Sequence, residues 1–390
     1  MKKSFMDALF YKCALALAFI LFCPDRFLSA QASPLPVPGG EYDVSIRYFS
    51  LKRDSAVLKG GLIPLSSLEP EHCKRGDAAD YYKQLPVIEV SPGAVPSAGK
   101  HAHFFPGVFA ERVLKEWHLP EQALSSIQGL EVPKAYDLPG PAALRGTILF
   151  LPGLGSQPQF YLSIATALAS HGYRVLISGH PGISGEAYTS DNCLLPGIDQ
   201  DKLMSKIQSS ELMDPVMNAS IKVLLKDLDV LTKYVRSVDT PKQSLPLFVM
   251  GHSIGGIAAN MYCSRKGTQC SAAVNLDGGE YPLFPRQSWP SRRDLPYLKF
   301  HSTENIARDR IPKYLAGPRQ CLFDFDGKGG KVLHESFTDI GFFKGIPPEE
   351  MPLADLRSKT VLVILSFLKK AAHADVQTDA SVSWCDGSNE

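Results

Sequence analysis

The sequence predicts an α/β fold: a mostly parallel central sheet of about eight strands with helices on both faces. Three observations predict it. From Gly146 onward, short apolar runs alternate with helical segments, a pattern that calls for crossover connections between parallel strands. Those runs are apolar throughout rather than alternating, as strands covered on both faces are. One of them, Leu247-Phe248-Val249-Met250, runs straight into Gly251-His252-Ser253-Ile254-Gly255-Gly256, which delivers a serine between small residues into a helix.

Taken along the chain, the amino terminus differs from the remainder. Lys2, Lys3 and Lys12 flank an apolar run from Cys13 to Phe22, and Ala30-Gln31-Ala32 offers small residues where a signal peptidase cleaves. About ten apolar residues are too few to cross a bilayer, which takes about 20. We therefore expect residues 1–32 to be a signal peptide cleaved after Ala32, and residues 33–390 to form a single domain that is secreted or periplasmic. From Pro34 to about Gly140 the chain is rich in Pro and Gly, with two strands, Tyr42 to Leu51 and Leu85 to Val90, and a short helix near Phe109 to Trp117. These read as edge strands and packing loops.

Thr147 to Leu151 is the next strand and ends at Pro152-Gly153; a helix from Phe160 to Ser170 and a strand from Tyr173 to Ile177 follow. The segment from 180 to 212 has no strong period and reads as a long excursion or lid. Met217, Ile221, Leu224, Leu228, Leu231 and Val235 recur at three- and four-residue steps, giving a helix one apolar face. After the serine helix come strands at Ala272 to Leu276, Tyr297 to His301 and Cys321 to Phe323, then a last helix around Asp355 to Lys370.

Composition narrows the class. With 390 residues, 44% hydrophobic, 21% charged and a net charge of +1, nothing marks a nucleic-acid binder. Of eight cysteines, Cys13 and Cys23 lie in the leader. The six that remain suit disulfides in an exported chain, and Cys263 with Cys270 are the best local pair. No C-x-x-C or His-rich cluster points to a metal, and no cofactor motif is present.

The chemistry centres on Ser253. A serine hydroxyl is protonated at neutral pH, so it needs a base within hydrogen-bond reach and an acid that fixes the base's tautomer. In sheets of this kind the chain order is Ser, acid, His, with function gathered at the carboxyl ends of the strands. His334 is the expected base; His301 comes before the usual base position and His373 lies in a polar tail. Asp277 closes a strand ahead of Gly278-Gly279 and is one candidate acid. Glu304, one strand later, is its rival, and Asp324 and Asp326 come third. The oxyanion hole needs two backbone N–H donors. Ile254, after the nucleophile, and Leu154, in Pro152-Gly153-Leu154-Gly155, occupy the positions for them.

With these residues in place the chain resembles the plasma-type (group VII) platelet-activating factor acetylhydrolases and related bacterial lipases and esterases, within the α/β-hydrolase superfamily. The resemblance rests on Leu151 to Gly155, Ala169-Ser170-His171-Gly172-Tyr173-Arg174-Val175, the Ser253 elbow, Val274-Asn275-Leu276-Asp277-Gly278 and His334-Glu335-Ser336-Phe337-Thr338-Asp339. It implies an α/β-hydrolase fold, Ser253 as nucleophile, His334 as base, Asp277 rather than Glu304 as acid, and Leu154 with Ile254 as oxyanion donors. The chain departs from the family in opening the oxyanion loop with Pro152-Gly153 instead of His-Gly, and in having Gly179 where an acidic residue often precedes His180-Pro181.

The expectation is an exported serine esterase with a small-molecule or lipid ester substrate, such as short or truncated acyl groups of phospholipids. Amide or polyester hydrolysis on the same triad is the alternative enzyme, and an inactive scaffold that binds lipid or protein is the alternative outside catalysis. Phe284, Trp289, Arg286, Arg292 and Arg293 would suit transient contact with a lipid surface, though they fit a solvated crossover loop better. Phe104-Phe105-Pro106 fits packing under the sheet edge better than an acyl pocket.

Overall fold

The computed structural model describes residues 39–53, 82–93, 101–103, 107–117, 119, 121, 124, 131–133, 144–188, 193–199, 202–203, 205, 210–239, 245–279, 295–303, 320–324, 331–344 and 353–373. The leader, Glu304, Asp326, Phe104-Phe105-Pro106 and the Phe284 to Arg293 loop lie outside them.

Eight strands form one sheet: β1 (Val44–Lys52), β2 (Gln84–Pro92), β3 (Gly146–Leu151), β4 (Tyr173–Ser178), β5 (Leu247–His252), β6 (Cys270–Leu276), β7 (Tyr297–His301) and β8 (Gln320–Asp324). Their spatial order is β1-β2-β4-β3-β5-β6-β7-β8. β1 pairs antiparallel with β2, and β2 antiparallel with β4. Every other pairing in the sheet is parallel. The mostly parallel sheet is thus as expected, but of the two strands read as edges only β1 is one, since β2 has neighbours on both sides. The polar Glu89 of β2 is buried, with its carboxylate paired to Arg47 of β1.

Successive side chains of a strand point to opposite faces, and both faces are covered. In β3, Ile148 and Phe150 enter one core and Leu149 and Leu151 the other; in β5, Phe248 and Met250 alternate with Leu247 and Val249 in the same way. The first core is closed by α2 (Leu162–Ser170) and α5 (Leu353–Ala372), the second by α3 (Ser210–Val238) and α4 (Ile254–Cys263). Burying each large apolar side chain stabilises by roughly 1.5–3 kcal/mol, so this double covering is what drives the sheet together. Among the described residues, no helix is long and apolar enough to cross a membrane.

Three elements depart from the sequence pattern. α3 begins at Ser210, before Pro215, which sits inside it; the apolar stripe marks the helix only from Met217 because the proline reads as a breaker. Two short hairpins, His101–His103 with Glu131–Pro133 and Ala187–Tyr188 with Leu194–Leu195, are too short to carry a period. Within the segment from 180 to 212, residues 180–188 and 193–198 are buried. A helix, α1 (Gly107–Glu116), reaches this segment, where Arg112 Nη1–H donates to Glu186 Oε1 at 3.1 Å. Cys263 at the end of α4 is disulfide-bonded to Cys270 at the start of β6.

Candidate active site

The site begins with a strained turn. Ser253, between β5 and α4, has φ 54° and ψ −124°, a conformation rare for a residue with a side chain. Its N–H donates to Leu276 O at 2.9 Å, which ties the turn to the end of β6. The flanking glycines are needed for space. A Cβ on Gly251 would lie 2.3 Å from the Gly255 carbonyl carbon, and one on Gly255 would lie 2.2 Å from Leu151 O.

Asp277 follows β6 and is also left-handed, with φ 55°. Asn275 holds the turn that carries it: Gly278 N–H donates to Asn275 Oδ1 at 2.7 Å, and Asn275 Nδ2 donates to Tyr297 Oη at 2.9 Å. Both oxygens of the Asp277 carboxylate are hydrogen-bonded. Oδ1 accepts the Ser302 N–H at 2.7 Å, and Oδ2 accepts His334 Nδ1–H at 2.7 Å. Burial pushes the carboxyl's pKa up, but the bond and charge of His334 and the Ser302 amide outweigh it and hold the group below its ordinary range. Asp277 therefore stays ionised.

His334 opens a 3-10 turn, His334–Phe337, and its side chain is 34% exposed while that of Asp277 is inaccessible. Because Nδ1 donates to a carboxylate, Nε2 is the basic nitrogen. The segment behind His334 is anchored through Asp339. Its carboxylate accepts the Ser163 N–H at 2.9 Å, the Ser163 hydroxyl and Arg357 Nη2–H at 3.2 Å, and its own N–H donates to Phe160 O at 2.6 Å.

The loop after β3 lies against the elbow. A Cβ on Gly153 would sit 3.0 Å from His252 Nδ1 and 3.3 Å from Ser253 Cβ. Neighbouring amides are committed: Gly153 N–H to Tyr161 Oη at 3.0 Å, Gly155 N–H to Ile183 O at 2.8 Å, and Gly256 N–H to Ser253 O at 3.0 Å. Ile254 is the first residue of α4, where an N–H has no acceptor within the helix. Leu154 stands in the turn between Gly153 and Gly155.

The 180–188 segment braces this loop. Besides the Gly155 bond, Gly185 N–H donates to Ser156 O at 2.9 Å. It is pinned in turn by a buried array in which His180 Nδ1 bonds Asp227 Oδ2 and His180 Nε2 bonds Ser178 Oγ, both at 2.8 Å, while Arg53 grips both Asp227 oxygens. Burial holds His180 below its ordinary pKa. For Asp227, burial works upward, but Arg53 and His180 keep the carboxyl low and ionised.

Ser253, Asp277 and His334 thus come from the ends of β5 and β6 and the turn after β8; a hydrogen bond joins Asp277 to His334, and the Ser253 N–H is tied to Leu276, the residue before Asp277. Glu304 lies outside the described residues, and His301 is buried in β7. Residues that the sequence did not single out are Tyr161, His252, Asn275, Ser302 and Asp339. Of these, His252, Asn275 and Asp339 stood within the quoted motifs, and His252, between the glycine and the serine, read as a spacer. Among the described residues, no group of three or more His, Cys, Asp or Glu could hold a metal ion.

A family model described as Hydrolase_4, serine aminopeptidase S33, matches residues 142–276. Its span takes in the Pro152–Gly155 loop and the Ser253 elbow and ends one residue before Asp277. In structure the chain is similar to a ferulic acid esterase from Streptomyces cinnamoneus, with 20% identity and a TM-score of 0.60 over 87% of this chain and 93% of that one. Weaker likenesses are to an acylaminoacyl peptidase from Pyrococcus horikoshii (12% identity, TM-score 0.42, 85% of this chain, 42% of that one) and TT1662 from Thermus thermophilus (18%, 0.34, 52% and 88%). No curated protein matches in sequence. The family match and the esterase likeness agree with the sheet order on the α/β-hydrolase fold.

Proposed function

We propose that the chain is a serine hydrolase that cleaves carboxylic esters through an acyl-enzyme at Ser253. The observation that carries the reading is the Asp277–His334 bond at 2.7 Å beside an elbow whose serine has φ 54°. Ser253 Oγ attacks the ester carbonyl as His334 Nε2 takes its proton, and Asp277 stabilises the imidazolium through Nδ1–H. The Leu154 and Ile254 amides receive the charge on the carbonyl oxygen. Collapse of the intermediate expels the alcohol, which takes the proton from His334. Water then attacks the acyl-enzyme by the same route, releasing the acid and restoring Ser253.

The acid at the end of the strand after the elbow helix supports the narrower reading of a platelet-activating-factor-acetylhydrolase-like enzyme, acting on short or truncated acyl groups of phospholipids. The lysine-flanked apolar leader and the Cys263–Cys270 disulfide support export to a secreted or periplasmic location, where disulfides persist. A second reading, an amidase, is favoured by the aminopeptidase description of the matching family model.

Hydrolysis of a p-nitrophenyl acyl series, of matching p-nitroanilides and of phospholipids by wild type and Ser253→Ala tests these together. The ester reading expects turnover of short acyl esters that Ser253→Ala abolishes. Preference for the anilides would favour the amidase, and wild type no better than Ser253→Ala on every substrate would leave the inactive scaffold.

A further inference from the structure

His252 and Tyr161 are buried beside the triad, and the proposed mechanism does not use them. With a neutral His252, their hydrogen bonds have one consistent direction. A backbone N–H donates, so Tyr161 Oη accepts from Gly153 at 3.0 Å. A carbonyl accepts, so His252 Nε2 carries a proton and donates it to His334 O at 3.0 Å. His252 Nδ1 is then a lone pair, and it accepts the Tyr161 O–H at 2.9 Å. The result is a relay from Gly153 through Tyr161 and His252 to the main chain of His334. It joins the loop after β3, the elbow and the turn after β8, which are far apart in sequence.

We infer that Tyr161 and His252 are positioning residues for the proposed hydrolase, holding the oxyanion loop and the base in register with Ser253. The inference rests on the proposed serine-hydrolase function. Gly153 precedes Leu154, so the Tyr161 hydroxyl fixes the amide next to a proposed oxyanion donor. His252 grips the main chain of the residue whose side chain is the base, and the two imidazole rings lie with centroids 4.5 Å apart and planes tilted by 36°. The relay in this direction requires a neutral His252, since a proton on Nδ1 would reverse the Tyr161 bond and put a charge against His334 as it becomes imidazolium. The charged and titratable groups that act on His252 are His334, Asp277 and Arg357, with Tyr161 at Nδ1. Burial, with the positive charge of His334 and Arg357, outweighs Asp277 and pushes its pKa down to about 3.

The test uses the full chain with Tyr161→Phe, His252→Gln and the double variant. Phenylalanine removes only the hydroxyl, and the glutamine amide keeps a donor for His334 O but loses the acceptor for Tyr161. Each single variant is expected to lower kcat about tenfold or more with KM within about twofold, since small misplacements at a reacting centre are costly. Because both break one relay, the double variant should be little worse than either single. Nitrogen-15 NMR of wild-type His252 should show an Nε2–H tautomer from pH 5 to 8.

Three results overturn the proposal: kcat within twofold of wild type for Tyr161→Phe, effects that multiply in the double variant, or an Nδ1–H tautomer. A wild type that is itself inactive on esters and amides overturns the hydrolase reading and the catalytic sense of the relay with it. The wrong tautomer in an active wild type overturns the relay alone.

Discussion

At the scale of the residue, the two non-glycine positions with positive φ among the described residues, Ser253 and Asp277, are two of the three proposed catalytic groups. Backbone conformations of this kind cost of order 1–3 kcal/mol each and persist where surrounding structure over-determines them. Here the restraints are visible as the Ser253 N–H to Leu276 O bond and the Asn275 clamp on Gly278. Asp277→Asn keeps the shape of the acid but removes its charge and can present an N–H to His334, favouring the wrong tautomer. Steady-state kinetics should show turnover lowered by about 10⁴. A change within tenfold would move the acid's role elsewhere, Glu304 first.

At the scale of the element, the site is a junction of loops, each held by its own buried polar anchor. Arg53 and Asp227 hold the 180–188 segment through His180, and Ser163 and Arg357 hold the His334 segment through Asp339. Such anchors are costly to break from one side, because the partner charge is left buried and unpaired. Arg53→Met should destabilise the fold by about 3–5 kcal/mol in urea unfolding, mainly through the stranded Asp227. A loss under about 1 kcal/mol would mean that water or another cation replaces Arg53. These anchors also show the limit of the sequence. The elbow was legible because strand, Gly-x-Ser-x-Gly and helix are contiguous; Asp277, at a strand end before Gly-Gly, was legible only as one candidate acid beside Glu304, and the family resemblance favoured Asp277. The pairing of Arg53 with Asp227, or of Tyr161 with His252, joins residues far apart in the chain and leaves no local period, so only the folded structure reveals it. The start of α3 was hidden for the opposite reason, since Pro215 is a local signal that packing overrides.

At the scale of the whole molecule, eight strands were legible from apolar runs, while their order required the structure. That order places the ends of β3, β5 and β6 side by side, so groups remote in sequence meet at one rim. The buried ionisable groups at this rim also set the acid stability. His252 has a folded pKa of about 3 against an ordinary 6.5, and His180 is shifted the same way. The unfolded chain therefore binds protons that the folded chain does not, and stability falls as pH drops through 6.5 toward 3. Asp227 and Asp277, held low, add a further loss below about 4, whereas burial raises Asp339, which opposes the trend. Urea midpoints should decline steadily from pH 7 to pH 4, and a flat profile would mean that the two histidines charge without cost.

The central claim is that the strained serine at the end of β5 is the nucleophile. Its most direct test is to treat the folded protein with a fluorophosphonate probe and map the adduct by peptide mass spectrometry. The account predicts stoichiometric labelling of Ser253, abolished in Ser253→Ala and strongly slowed in variants of His334. An unlabelled protein, or an adduct on any other residue, would contradict it.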